Sequence, residues 1–522
     1  MFFSPRRSHL MCVVFLAGGT LQALALELPN VFSDHMVLQQ KQPLPVWGRA
    51  EAGSTVTVSF RQQTAQAVAD AGGNWMATLA PETASATPET MKVWSGEREI
   101  TFEDVLVGEV WLCSGQSNME WGVRHALNGD LTELGGSNPL LRLFLLWRQA
   151  STTPLFTTKA QWSHSVPERI TPFSAVGFQF GRILQPALGI PVGLIGLSYS
   201  GTPAIAWTRP SVLDKHPLFV ERVAEWEQGM QTYPEDVAQY EAKLTAWKAG
   251  KGIPAGTKIN NDQYPDAPKA PPYDPESPRR PGVLANGMLA PVAPFALRGV
   301  IWYQGEGDAG WVPEKYDERL ALMVEDWRVW WNNPSLAFGV VQLANFNQPT
   351  SEPSDGAWPR LRESQRRFVL NDPHAGLAVA IDVGEANDIH PLDKETIGER
   401  LARWALADVY DKITLRGGPE PVEAAFGAVV QIRFATVGGG LWIFNGGPLE
   451  GFTLAGADGV FHAATAEIKG KDTVEVESSA VPAPQAVRYA WAANPRNANL
   501  SNKQRLPAGP FELKQSSFSA NP

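Results

Sequence analysis

Cysteine is nearly absent from this chain. Only Cys12 and Cys113 occur in 522 residues, and Cys12 falls in a leader segment, so the mature chain is left with one thiol. An internal disulfide and a cysteine-based metal cluster are both excluded. Cys113 lies inside an apolar run, where a thiol is ordinarily core filler rather than a nucleophile. Positive charge is also scarce: 44 Lys and Arg face 54 Asp and Glu, for a formal charge of -10. That balance argues against nucleic acid or an anionic membrane as the main partner. No apolar run is long enough for a convincing membrane span, and no Gly-rich phosphate loop ending in Lys-Ser or Lys-Thr is present. His35, His125, His164, His216, His374 and His462 show no pair at metal-ligand spacing and read as surface or core residues. His125, eight residues after Ser117, is the one placed to approach a substrate.

What is present describes a globular protein, with 44% hydrophobic and 19% charged residues. Its length predicts two or three domains. Nineteen tryptophans suit either a core or the stacking of sugar rings, the core reading being the commoner for any one of them. Residues 1–25 read as a signal peptide: Arg6 and Arg7, a mostly apolar stretch over 10–24, and Ala23-Leu24-Ala25 as a small-x-small cleavage site. The expectation is an exported protein, periplasmic or extracellular, with no membrane span.

Residues 26–103 read as short strands and turns, a small β domain, and residues 416–522 as a second β-rich region. Between them, over 104–415, buried-strand runs at 105–113, 192–197, 299–303, 337–343 and 377–381 alternate with helical stripes. One stripe runs over 313–331 and another begins after Asp393, a candidate N-cap. Such alternation predicts an α/β, doubly wound parallel sheet. A charged helical segment followed by a Pro-rich stretch makes 208–282 an insertion, a candidate lid or substrate wall.

In open α/β sheets ligands bind beyond the carboxyl ends of the strands. The first strand ends in Gly115-Gln116-Ser117-Asn118, where a serine hydroxyl meets the free backbone amides of a helix start. Met119 stands where the nucleophile elbow of an α/β-hydrolase has its second glycine, which excludes that motif. The second strand ends in Ser200-Gly201-Thr202, the third in Gln304-Gly305-Glu306-Gly307-Asp308, and the fifth in a loop holding Glu385, Asn387, Asp388 and His390. A serine, a glycine turn, an amide and an acid–histidine pair on one sheet edge are a hydrolase's inventory. A serine that merely caps a helix is the alternative.

The Gly-Gln-Ser-Asn-Met block, Trp302-Tyr303-Gln304-Gly305-Glu306, and Asp388-Ile389-His390-Pro391 with Lys394 and Arg400-Leu401-Ala402 resemble the sialate O-acetylesterase family. That family is part of the SGNH-hydrolase group and is related to acetylxylan esterases. The resemblance extends over most of the mature chain. It implies an SGNH/flavodoxin-like fold and a serine esterase acting on acetylated carbohydrate, with no metal or cofactor. By the same resemblance Ser117 is the nucleophile, His390 the base, and the oxyanion hole uses the Ser117 and Gly201 amides with a side-chain amide, here taken as Gln304. The pattern's acid three residues before the histidine is replaced by Asn387, so Asp388, Glu385 or no acid completes the triad, Asp388 being preferred. Asn118, Glu306 and Asp308 are expected to support the site. Two other readings stand beside this one: a glycosidase using Glu306 and Asp308, and a noncatalytic sugar-binding relative. The oligomeric state and the identity of the sugar have no signature in the sequence.

Overall fold

A computed structural model describes residues 25–260, 263–350 and 353–515. Apart from its last residue, the expected leader lies outside the described residues.

The molecule is built around one long strand, β1 (Arg98–Gly115). Its first half pairs antiparallel with Ser85–Ser95, and Val37–Gln39 lies parallel to residues 106–108. Its second half is the centre of a sheet completed by β2 (Asn138–Leu146), β3 (Trp162–Ser165), β4 (Val192–Ser198), β5 (Gly299–Tyr303), β6 (Ala337–Val341) and β7 (Ala375–Ala378). The order across the sheet is β7-β6-β5-β1-β4-β2-β3. Every neighbouring pair is parallel except β2–β3, an antiparallel edge. The N-terminal β region and the central sheet therefore share a strand, and position 103/104 falls inside it rather than in a linker.

Burial on both faces explains the apolar runs. Along β1, Val110 and Leu112 enter one core with Val300, Trp302 and Trp327, while Trp111 and Cys113 enter another with Phe180, Ile397 and Trp404. The chain leaves β1 toward β4 and β2 on one side and returns to β5 on the other. The strand order thus reverses at the carboxyl end of β1, the place where doubly wound sheets open a crevice. The helix α1 (Ser117–Glu120) starts there. α2 (Ala175–Leu188) and α6 (Lys394–Trp404) cover one face, α4 (Tyr316–Trp330) and α5 (Ala357–Asn371) the other. The insertion contains α3 (Pro217–Lys251), a 35-residue helix with only Phe219, Trp226 and Gly229 buried. Beyond α6, two four-stranded sheets and a two-stranded ribbon enclose their own core around Ile432, Leu454, Val487 and Phe511. Among the described residues no helix is long and apolar enough to cross a membrane.

Candidate active site

Gly115 makes the turn from β1 into α1. Its φ of +141° is open to glycine and costly for other residues, and an added Cβ would lie 2.2 Å from the Tyr303 carbonyl oxygen. Gln116 holds extended backbone as N-cap, and its side-chain oxygen accepts from the Gly307 amide at 3.0 Å. Ser117 is then the first helical residue, so its own N–H has no helical partner. The strand end, the β5 loop and the serine turn are locked together by these contacts.

His390 reaches the same point from the loop after β7. Its Nε2 lies 2.9 Å from Ser117 Oγ. Its Nδ1 faces Asp388 Oδ1 at 3.3 Å, and that oxygen also accepts from the His390 backbone N–H at 2.8 Å. The ring stacks on Trp121 at 5.0 Å and 16°. Burial holds the imidazole below its usual pKa; Asp388 opposes that shift and the Lys394 charge adds to it. A neutral imidazole beside the hydroxyl is competent to accept a proton.

The remaining acids fall elsewhere. Glu385 accepts a long 3.4 Å bond from Leu392 N, and among the described residues no hydrogen bond or ion pair joins it to His390. Asn387 accepts from the Gln348 side chain at 2.6 Å. Of the acids left open by the sequence, Asp388 is the one in contact with the imidazole. Asn118, buried behind the serine, donates to Glu306 Oε1 at 2.5 Å and to the Ile389 carbonyl at 3.0 Å, and accepts from Lys394 Nζ at 2.6 Å. Burial raises the Glu306 pKa, with the Asn118 hydrogen bond and the Lys394 charge opposing it.

One expectation needs correction. Gln304 is fully buried, and its amide nitrogen donates to the Thr202 carbonyl at 3.1 Å and to Asp308 Oδ2 at 2.7 Å, while its oxygen accepts from Tyr316. Both amide hydrogens are committed, so Gln304 braces the β4 and β5 loops and is not a free oxyanion donor. Asp308 is also fully buried. It accepts from Ala204 N at 2.8 Å and pairs with Arg319 at 3.5 Å, so it too is part of the brace. Gly201 lies in the turn after β4 with φ +69°; among the described residues no hydrogen bond takes its N–H, and its carbonyl accepts from Arg279 Nε of the insertion at 2.8 Å.

Ser117 and His390 open onto a cavity of about 410 Å³ lined by Trp121, Arg124, His125, Trp147, Arg148 and Ser200, among others. Trp147 is 64% exposed. Arg148 is held by Glu120 and Ser200, whereas Arg124 has no ion-pair partner among the described residues. Sequence reading missed Trp121, although its place four residues after Ser117 sets it one turn along the same helix start. It also missed Arg148 and Arg279, which nothing in their local sequence marks.

Away from this cleft, His35 and His164 prove to be neighbours, their rings 4.6 Å apart. Asp104 Oδ2 accepts from His35 at 2.7 Å and Arg142 at 2.7 Å and lies 3.0 Å from His164 Nε2, and Arg142 also reaches Oδ1 at 3.1 Å. Sequence spacing hides this cluster because four separate segments build it. The Arg142 guanidinium already occupies the carboxylate that a cation would need.

Comparison with known proteins bears on the same geometry. Residues 283–407 match the carbohydrate esterase family described as sialic acid-specific acetylesterase. The chain is 28% identical to the human sialate O-acetylesterase over 440 residues, 77% of this chain and 75% of that one. To the mouse sialate O-acetylesterase it is 29% identical over 428 residues, 75% of each. A solved carbohydrate acetylesterase from Xanthomonas citri superposes with a TM-score of 0.78 at 34% identity, covering 94% of this chain and all of that one. With that coverage and that identity, the chain belongs to the sialate O-acetylesterase family of carbohydrate esterases.

Proposed function

We propose that the protein is an exported serine esterase of the SGNH type that removes O-acetyl groups from carbohydrate through an acetyl-enzyme. The contact between His390 Nε2 and Ser117 Oγ at the mouth of the cleft carries this reading. His390 takes the Ser117 proton as Oγ attacks the acetyl carbonyl, and the Ser117 and Gly201 amides receive the oxyanion. Asp388 steadies the imidazolium that forms. Protonation of the leaving sugar hydroxyl by His390 leaves acetyl-Ser117; His390 then activates water, and acetate departs. Gln304 supports this arrangement from below and takes no part in the chemistry.

The cleft suits a single terminal sugar, with the acetyl group at Ser117 and the ring against the exposed face of Trp147. Arg124, free of an acidic partner among the described residues, favours a sugar that carries a carboxylate over a neutral xylan unit. In this reading residues 1–25 direct export, 26–103 and 416–522 are accessory β regions, and 104–415 form the esterase unit. The insertion at 208–282 supplies one wall beside the Gly201 turn.

Acetate release from O-acetylated sialic acids, acetyl-xylo-oligosaccharides and acetylated pectic fragments, assayed beside Ser117→Ala, tests all of this. Release by the parent alone, fastest on the sialic acids, is the expected result. Equal release by Ser117→Ala would overturn the serine mechanism. Binding without turnover on every substrate would leave a noncatalytic sugar binder.

A further inference from the structure

Lys394 is an ammonium group with no exposed surface, directly behind the nucleophile turn. Such a cation is costly to bury unless it has a task or a partner. Among the described residues the ammonium forms no direct ion pair and its one hydrogen bond goes to Asn118 Oδ1; it lies 5.4 Å and 5.8 Å from the ring centres of Tyr303 and Trp121.

The chemistry of the three groups around Asn118 fixes which way its amide points. Lys394 only donates, so it demands the oxygen; Glu306 and the Ile389 carbonyl accept here, so they demand the NH2. Ile389 immediately precedes His390, and its carbonyl is held at 3.0 Å. Trp121, which stacks on His390, is also the ring Lys394 lies against. The base is thus gripped from its backbone and from its ring face, and both grips lead back to Lys394.

Building on the serine-esterase reading above, we propose that Lys394 is a positioning residue for the Ser117–His390 pair. It acts through Asn118, holding that amide in the orientation that draws the Ile389 carbonyl, and with it His390, onto the nucleophile turn. The charged groups facing Lys394 are Glu306, Asp388, Asp393 and Glu385; burial brings its pKa down to about 7, against the pull of those acids. At mildly acidic pH the ammonium is therefore charged. The charged groups facing His390 are Asp388 and Lys394 itself, so loss of the ammonium removes a charge that resists protonation of the base.

The test is a double-mutant cycle with Lys394→Met and Asn118→Ala, run on the full chain with Ser117→Ala as reference. Methionine keeps the length of lysine in a buried site and removes the donor. Lys394→Met is expected to lower kcat by about 10- to 100-fold, the scale of a misplaced catalytic group, with KM changed less than about twofold. The acidic limb of kcat/KM should move to higher pH. If Lys394 acts through Asn118, the double variant is no worse than Asn118→Ala alone.

Multiplying effects in the cycle, or a loss of activity in Lys394→Met with the acidic limb unmoved, would overturn the proposal. Asn118→Asp keeps the shape but sets oxygen against the Ile389 carbonyl and Glu306. It should lose at least as much kcat as Asn118→Ala, and parent-like activity there would equally count against the positioning role. Activity that persists in Ser117→Ala is a different failure, since it removes the mechanism in which there is a pair to position.

Discussion

In the proposed serine-esterase mechanism, His390 is the residue on which the pH dependence turns. Held below its ordinary pKa mainly by burial, it stays neutral and basic into mildly acidic solution. Activity is then full above that lowered value and falls as the pH drops through it. Asp388 favours the imidazolium, so Asp388→Asn lowers the His390 pKa further and moves the acidic limb of kcat/KM to lower pH, while the transition state loses its counter-charge. With the Asp388 side chain 49% exposed, solvent screens the interaction. The fall in kcat should be about 10- to 100-fold, smaller than for a fully buried triad acid. A pH–rate profile of the variant checks both parts, and an unchanged profile would leave His390 working without an orienting acid. Much of this constellation is legible in the sequence, because Ser117, Gly201 and the Asp388–His390 loop each follow a strand end. Gln304 is not, since its commitment to Thr202, Asp308 and Tyr316 depends on contacts among three loops. Nor does Asn118 advertise its place between Lys394 and Ile389, 276 and 271 residues away in sequence.

Between elements, the Asp104 cluster joins the turn at His35 to β1, β2 and β3. Burial works against the Asp104 charge, but the hydrogen bonds from Arg142 and His35 outweigh it and hold the carboxyl below its usual 3.8. Burial, followed by the neighbouring Arg142 and His35 charges, holds His164 below its usual 6.5. Both shifts act in the same direction: stability declines once the pH falls below about 6.5, as His164 protonates more readily in the unfolded chain. It declines again below about 3.8, as the unfolded carboxyl takes a proton first. Asp104→Asn leaves the Arg142 guanidinium, only 3% exposed, without a counter-charge. The cost should be about 2–3 kcal/mol, less than for a fully buried pair because Asp104 is 22% exposed. Urea unfolding between pH 3 and 7 would show the loss at neutral pH and the disappearance of the lower step; a variant as stable as the parent would mean the cluster is ornamental. The elements themselves are mostly readable. β5 is foreseen to the residue and Asp393 caps α6 as expected, accepting from Thr396 N at 3.0 Å. β2 escaped because Arg142 interrupts its apolar run, and that arginine's burial is made tolerable by Asp104 together with the Pro139 and His35 carbonyls. α5 escaped because Arg362, Glu363, Gln365 and Arg366 are buried in it, which hides any hydrophobic stripe.

Arg362 also shows how the whole molecule holds together. It is fully buried at the junction of the central sheet with the C-terminal β region, and among the described residues it has no ion-pair partner. Its guanidinium donates instead to four carbonyls: Leu343 and Ala344 after β6, at 2.7 Å each, and Ala492 and Ala493 of the C-terminal region, at 2.8 and 3.0 Å. Burial without a carboxylate brings its pKa down to about 9. The fork geometry of arginine suits this bridge, since its donors reach two chain segments at once, and lysine has neither the span nor the planarity. The loop after β6 is thereby pinned to the C-terminal region, and through Asn345, which donates to Asn494 and accepts from Gly384 N, the pin extends to the loop that carries His390. Arg362→Met removes all four hydrogen bonds; Ala344 keeps the Trp358 indole donor and Ala493 the Phe346 amide, but the Leu343 and Ala492 carbonyls lose the donor they have in Arg362, a loss of about 2–4 kcal/mol. The expected calorimetric trace has the C-terminal β region melting ahead of the central sheet, and the parent is expected to show one transition. Because the His390 loop leans on the same junction, acetate release should fall as that first transition begins. A single unshifted transition would mean that the two regions are held by their apolar contacts alone, and that the bridge adds order without adding stability.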